Sequence, residues 1–298
     1  MSLIDGAYAA SIRAFWSRGL LLLETRYCFA NSSQRRYNFR IHPLDERRDM
    51  TIVVSGETAK QRRRSVHIKD YTQSQNSDAA FHATLYMGAA PATAEHALDA
   101  VGSRSEPQAY LVEQPAYATV PPHFHDTDQF QVFVDGVADF GKQRIAGLSV
   151  HYAGGHTPYG PIVTADEGAH YFTLRVAWDS GGKPMPESRA LLKRGQQCHR
   201  MADISEDVAS GRDEILPVEA DGLGAVHYKM APGSTDSLSL DVGGAGQYAL
   251  VLDGDVELDG DTIGKHSCVF RFPEDAPLTL TAGNAGASVL LMQFPVKV

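Results

Sequence analysis

The chain has 298 residues and a formal charge of −9, with 43 % hydrophobic and 21 % charged residues. That is ordinary globular composition, with length for one large or two smaller domains. No stretch approaches the roughly 20 apolar residues of a membrane span, and no secretory leader is read. The acidic balance is also local: residues 1–70 hold 13 basic and 7 acidic side chains, whereas 71–298 hold 14 and 29. An acidic body does not suit a phosphate backbone, so no nucleic-acid partner and no membrane partner are expected.

Residues 1–75 read as a basic N-terminal extension. Its first 49 residues show no convincing period, and its run Lys60–Arg64 reads as a solvated tail. Part of this region is expected to be disordered, and part to add a strand at a barrel edge. Pro91–Ala100 reads as a short helix with Thr93 as N-cap. From about Tyr110, short runs rich in Val, Tyr and Phe alternate with Gly, Pro and Asp, the pattern of an all-β sandwich or barrel. The segment 181–223 is polar and reads as a surface linker, with one helical candidate at Glu187–Arg194. Strand texture returns from 224 to the end.

The chain repeats itself. QFQVFVDG (Gln129–Gly136) recurs as QYALVLDG (Gln247–Gly254), so one β-domain is present twice, over 76–180 and 224–298. The Asp-Gly pair closing each copy predicts a hairpin turn. Cys28, Cys198 and Cys268 are widely spaced and odd in number. They support neither a disulfide framework nor a cysteine-zinc site, and fit a reducing cytoplasm.

The chemistry concentrates at HFHDTDQ. Residues two apart on a strand share a face, so His123 and His125 point together and Phe124 points away. Two converging imidazoles are a natural pair of metal ligands. Simple alternation puts Asp126 and Asp128 on the Phe124 side. Gln247 is kept in the second copy although its histidines are not, which suggests a structural hydrogen-bonding role across the barrel for Gln129 as well.

From the first histidine on, the spacing HxH, three residues, Gln129, six residues, Gly136 resembles the first motif of the cupin superfamily, with Gln129 in place of its glutamate. GLSVHYAGGH offers the second motif's histidine as His156, with His151 competing and His170 a weaker third. From about residue 105 on, the arrangement looks like a bicupin, as in pirins and quercetin-dioxygenase-like proteins. The resemblance implies an all-β fold of two cupin-type barrels (double-stranded β-helices) in tandem behind an irregular N-terminal extension. It implies a divalent transition metal (Fe, Zn, Ni, Mn or Cu) held by His123, His125, Gln129 and His156. Gln129 would complete the site and Tyr159 would orient substrate. The function implied is a metal-dependent dioxygenase acting on a small organic substrate. The alternatives are a non-catalytic cupin that binds or senses a small ligand, such as a small anion or a sugar-like molecule, and a metal-assisted isomerase or hydrolase. The second domain, lacking the histidines, is expected to pack, oligomerise or shape the first. A homodimer is expected because sheet edges need covering.

Overall fold

The computed structural model describes Ala10–Ser17, Leu20–Tyr27 and residues 51–297, except 67–72, 75–79, 90–105, 194, 196, 206–209 and 241. It divides into residues 1–50 and 51–298. In the first unit, Ala10–Ser17 and Leu20–Tyr27 form an antiparallel pair, with Ala10 opposite Tyr27 and Ser17 opposite Leu20. The Pro91–Ala100 helix lies outside the described residues.

The second unit carries two large antiparallel sheets, one for each copy of the repeat. The first, of ten strands, runs His199–Asp203, Ser149–Ala153, Gln129–Phe140, Ile162–Arg175, Gln108–Gln114, Phe81–Met87, Arg63–Val66 along its main path. The second, of eight, runs Gly211–Leu216, Gly224–Met230, Leu278–Gln293, Gln247–Leu258, Cys268–Arg271, Ile52–Val54. The stretch expected as a linker thus gives one edge strand to each sheet. Residues upstream of 76 do the same at the other edges. The helical candidate at Glu187–Arg194 is a single 3-10 turn, Arg189–Leu191.

The two-residue alternation of strands sets three cores. Phe130, Val132, Phe172 and Leu174 of the first copy pack with Tyr248, Leu250, Leu290 and Met292 of the second, making an apolar layer between the sheets. Ala249, Val251, Val289 and Leu291 face the other way, into an apolar second barrel. The corresponding inward residues of the first barrel include Phe133 and Tyr171 but also Gln129, Gln131 and His151, all buried. The second barrel's interior is largely apolar, whereas its twin is wired with polar groups.

The Asp-Gly pairs do not turn the chain. Gln129–Phe140 and Gln247–Leu258 run straight through them, with register shifts beside Gly136 and Gly254. Both glycines are left-handed, at φ +81° and +73°, and a Cβ on Gly136 would stand 2.2 Å from the Gly168 carbonyl oxygen. They are bulges that bend one long strand around the barrel. The tight turns come later, between Phe140 and Gln143 and between Leu258 and Asp261. Gly136→Ala is therefore expected to cost about 2–3 kcal/mol from left-handed strain and the clash together, read as a lower denaturant midpoint at unchanged slope. Wild-type stability for this variant would argue against the close approach.

Candidate functional site

His123–Phe124 is a two-residue strand held on one side by Lys183–Pro184 and on the other by a backbone bridge to Tyr159. This short ladder brings both imidazoles of HxH inward, 4 % and 7 % exposed, with ring centroids 5.2 Å apart. Phe124 points away, as alternation requires.

The hydrogen bonds around the pair form a directed chain. Nδ1 of His123 is 2.8 Å from the Pro121 carbonyl, which can only accept, so Nδ1 carries the proton. Nε2 therefore accepts from the Tyr159 hydroxyl at 2.8 Å. That hydroxyl accepts in turn from Gln129 Nε2. Gln129 Oε1 accepts from Arg175, at 2.8 Å from Nη2 and 3.2 Å from Nε. An ionised carboxylate at position 129 could accept from Arg175 but could not donate to Tyr159. The amide at this position is what lets one side chain do both.

Arg175 is the centre of the network. It is fully buried. Its Nη1 donates to Gln108 Oε1 at 2.6 Å and to the Tyr110 hydroxyl at 3.0 Å, and its guanidinium lies 5.6 Å from the Tyr110 ring centroid. Its Nη2 also meets the His125 ring, 3.2 Å from Nε2. All these partners are neutral side chains. Nδ1 of His125 donates to Asp179 Oδ1 at 2.8 Å. Asp179 also accepts from the backbone N–H of Asp126 and of Gly181, at 2.9 and 2.8 Å. Burial opposes its ionisation, but the hydrogen bond from His125 and the charges nearby outweigh it and hold the carboxyl well below its usual range. Burial, reinforced by the Arg175 charge, lowers His125 to about 4 despite Asp179. Burial also pushes His123 far down, with His125 adding to it, and raises Tyr159. The interior at neutral pH is one arginine cation, one aspartate anion and neutral imidazoles.

His156 does not join this group. It takes a left-handed turn conformation, φ +60°, and its ring stacks beside Phe124 at 5.5 Å, near Asp126 (3.6 Å). The bend at Gly154–Gly155 carries it to the outer side of the HxH strand. Asp126 is on that side as well, paired with Lys183 at 2.7 Å. Asp128 caps the Gly155 N–H and pairs with Lys297. His170 is half-exposed beside Asp135. His151, the competing candidate, is the one that faces inward: fully buried, with Nδ1 3.0 Å from Gln131 Oε1 and its ring 5.1 Å from Tyr159.

The donor set does not fit a divalent ion. Tyr159 and Arg175 already engage His123, His125 and Gln129, and a buried guanidinium against His125 would repel a second cation. No three His, Cys, Asp or Glu side chains among the described residues form a metal-binding group.

The second copy shows what Gln129 inherits from the fold. Gln247 Nε2 donates to Gln293 Oε1 at 2.6 Å, and Gln293 stands to Gln247 as Arg175 stands to Gln129, 46 residues on. This bond between neighbouring strands belongs to both copies, and the arginine to the first alone. The second copy also reaches into the first: the Tyr248 hydroxyl donates to the carbonyls of Arg175 at 2.8 Å and Gln108 at 3.2 Å. Arg175 and Asp179 were the residues that motif reading missed. The signal for Arg175 was a charged residue closing its strand between the runs YFTL and VAW.

Two barrels of this topology in tandem, with an HxH strand at the mouth of the first, define the fold of the cupin superfamily in its bicupin arrangement. Among solved structures, the chain is similar to a proposed dioxygenase of Nostoc punctiforme at TM-score 0.51 and 13 % identity, over 83 % of this chain and 84 % of that one. It is equally similar to the bacterial pirin YhhW of Escherichia coli in complex with nickel(II), at TM-score 0.51 and 9 % identity, over 83 % of this chain and all of that one. No protein-family model and no curated protein sequence matches the chain. No helix among the described residues is long and apolar enough to cross a membrane.

Proposed function

We propose that this chain is a non-catalytic bicupin that binds or senses a small organic anion in its first barrel, with Arg175 as the anchor for a carboxylate. One observation carries the reading. A guanidinium is fully buried in a histidine-lined barrel with no carboxylate within ion-pairing distance among the described residues. Burying a charge costs several kcal/mol, and the guanidinium fork matches a carboxylate. The twin barrel, with Gln293 at this position, supports the same reading by contrast. A carboxylate would take the Nε–Nη2 edge of the guanidinium in place of Gln129 Oε1, while Gln108 and Tyr110 hold Nη1 and Tyr159 holds His123. Free thiols at Cys198 and Cys268 are in keeping with a cytoplasmic protein, and we infer a homodimer that covers exposed sheet edges.

The second reading is a metal-dependent oxidoreductase of the dioxygenase type. The meeting of His123 and His125 and the fold shared with a nickel-bound pirin favour it. It requires Arg175 and Tyr159 to withdraw from His125, His123 and Gln129. One set of measurements decides. Small carboxylates are expected to raise the Tm of the purified protein where their amides do not, with metal content well below stoichiometric and no response to chelator. A near-stoichiometric metal whose removal lowers the Tm, or oxygen uptake with catechol-like substrates, would overturn the binding reading.

A further inference from the structure

His151 offers a further polar anchor in the first barrel, and nothing in the network around Arg175 uses it. The residue is fully buried on Ser149–Ala153, opposite Gln131 in the ladder. Gln131 Oε1 accepts from Nδ1 at 3.0 Å, which makes Nδ1 the protonated nitrogen and leaves Nε2 with a free lone pair. Nε2 is buried and has no hydrogen-bond partner. Its ring is walled by Phe140 at 4.5 Å, Tyr159 at 5.1 Å and His199 at 5.5 Å. Burial, with His199 adding to it, keeps the imidazole neutral, so Nε2 stays an acceptor at neutral pH. A buried acceptor without a donor costs free energy, and such atoms are rare unless something else meets them.

We propose that His151 Nε2 is a specificity anchor for the ligand of the first barrel, accepting a hydrogen bond from a hydroxyl, so that the ligand class is a hydroxy acid with its hydroxyl remote from its carboxylate. The inference rests on the carboxylate reading of Arg175. The remoteness follows from the contacts between the two anchors: Arg175 touches Gln129, Gln129 touches the Tyr159 hydroxyl, and the Tyr159 ring lies beside His151. An amide and a phenol ring therefore separate the carboxylate end from the hydroxyl end. A 2-hydroxy acid, whose two groups are adjacent, meets one anchor only.

The test is a titration by calorimetry of matched acids: butanoate, 2-hydroxybutanoate and 4-hydroxybutanoate, then benzoate and 4-hydroxybenzoate. The expected result is that the 4-hydroxy member of each series binds about tenfold tighter than the unsubstituted acid, the yield of one well-made hydrogen bond. The 2-hydroxy acid should bind like the unsubstituted one. In His151→Phe, which keeps a ring against Phe140 and Tyr159, that tenfold preference should fall to none, the 4-hydroxy and unsubstituted acids binding alike. Equal binding of hydroxy and unsubstituted acids by the wild-type protein overturns the role of His151 and leaves the carboxylate site standing. A preference that survives in His151→Phe overturns it too. Failure of every acid to bind overturns the carboxylate reading itself, and the role of His151 with it.

Discussion

Arg175→Ala should be the most damaging single change in the first barrel. It removes the only cation in the network and strands Gln108 Oε1, the Tyr110 hydroxyl and Gln129 Oε1 in a closed interior. It also takes from the buried, ionised Asp179 the favourable charge of Arg175. Breaking one side of a buried charged network costs about 3–5 kcal/mol. For a chain of this size that is a fall in Tm on the order of 10 °C. Arg175→Gln separates stability from recognition, because it installs the residue that the second copy carries at the equivalent position. A glutamine there can bond Gln129 as Gln293 bonds Gln247. The Gln variant is expected to regain part of the lost Tm and none of the carboxylate response. If Arg175→Ala melts with the wild-type protein, the guanidinium does not hold the barrel together and the network has been overvalued.

Much of this architecture is legible in the amino-acid order. The repeat of QFQVFVDG as QYALVLDG marks two β-domains, and the structure superposes their roles residue for residue: Gln129 with Gln247, Gly136 with Gly254. Retention of the glutamine without the histidines pointed to a structural bond across the barrel; Gln247 does make a structural bond, but to Gln293, its opposed neighbour on the adjacent strand. The glycine was legible as a special backbone position but not as which kind. A left-handed residue after Asp suits a tight turn and a bulge equally, and only the carbonyl of Gly168 pressed against Gly136 selects the bulge. His156 misled for a related reason. Counting residues from Gly147 treats the chain as extended, whereas His156 sits at φ +60° and its side chain departs to the Phe124 side. Arg175 escaped because its meaning is a matter of partners. An arginine at a strand end is commonplace, and its burial among Gln108, Tyr110 and Gln129 depends on strands distant in sequence. The glutamine in the motif, expected to complete a metal site, instead links Arg175 and Tyr159.

The buried imidazoles make a second large effect, on stability against acid. An unfolded histidine titrates near 6.5, whereas His125 is lowered to about 4 and His151 to about 3, and His123 lies far down as well. These folded values are depressed, so at pH 7 both states are neutral and the full stability is present. As the pH falls through 6.5 the unfolded chain takes up protons that the folded barrel refuses, and stability declines until the folded values are reached. By pH 4, His125 and His151 together remove roughly 6 kcal/mol, at about 1.4 kcal/mol per pH unit for each. That is comparable to the whole stability of many domains, ~5–15 kcal/mol. Asp179 adds to the loss only lower down: its folded value is also depressed, so its contribution is intact above the ordinary carboxylate range and erodes beneath it. The Tm should therefore drop steeply between pH 6.5 and 4, and unfolding at pH 5 should take up protons, about one from each buried imidazole. His151→Phe removes one of them and should flatten the profile by close to a third of this three-histidine share. A Tm that holds level from pH 7 to 4.5 would mean that these rings are already protonated or already wet in the folded state. The polar interior of the first barrel, and the anion site built on it, would then have to be abandoned together.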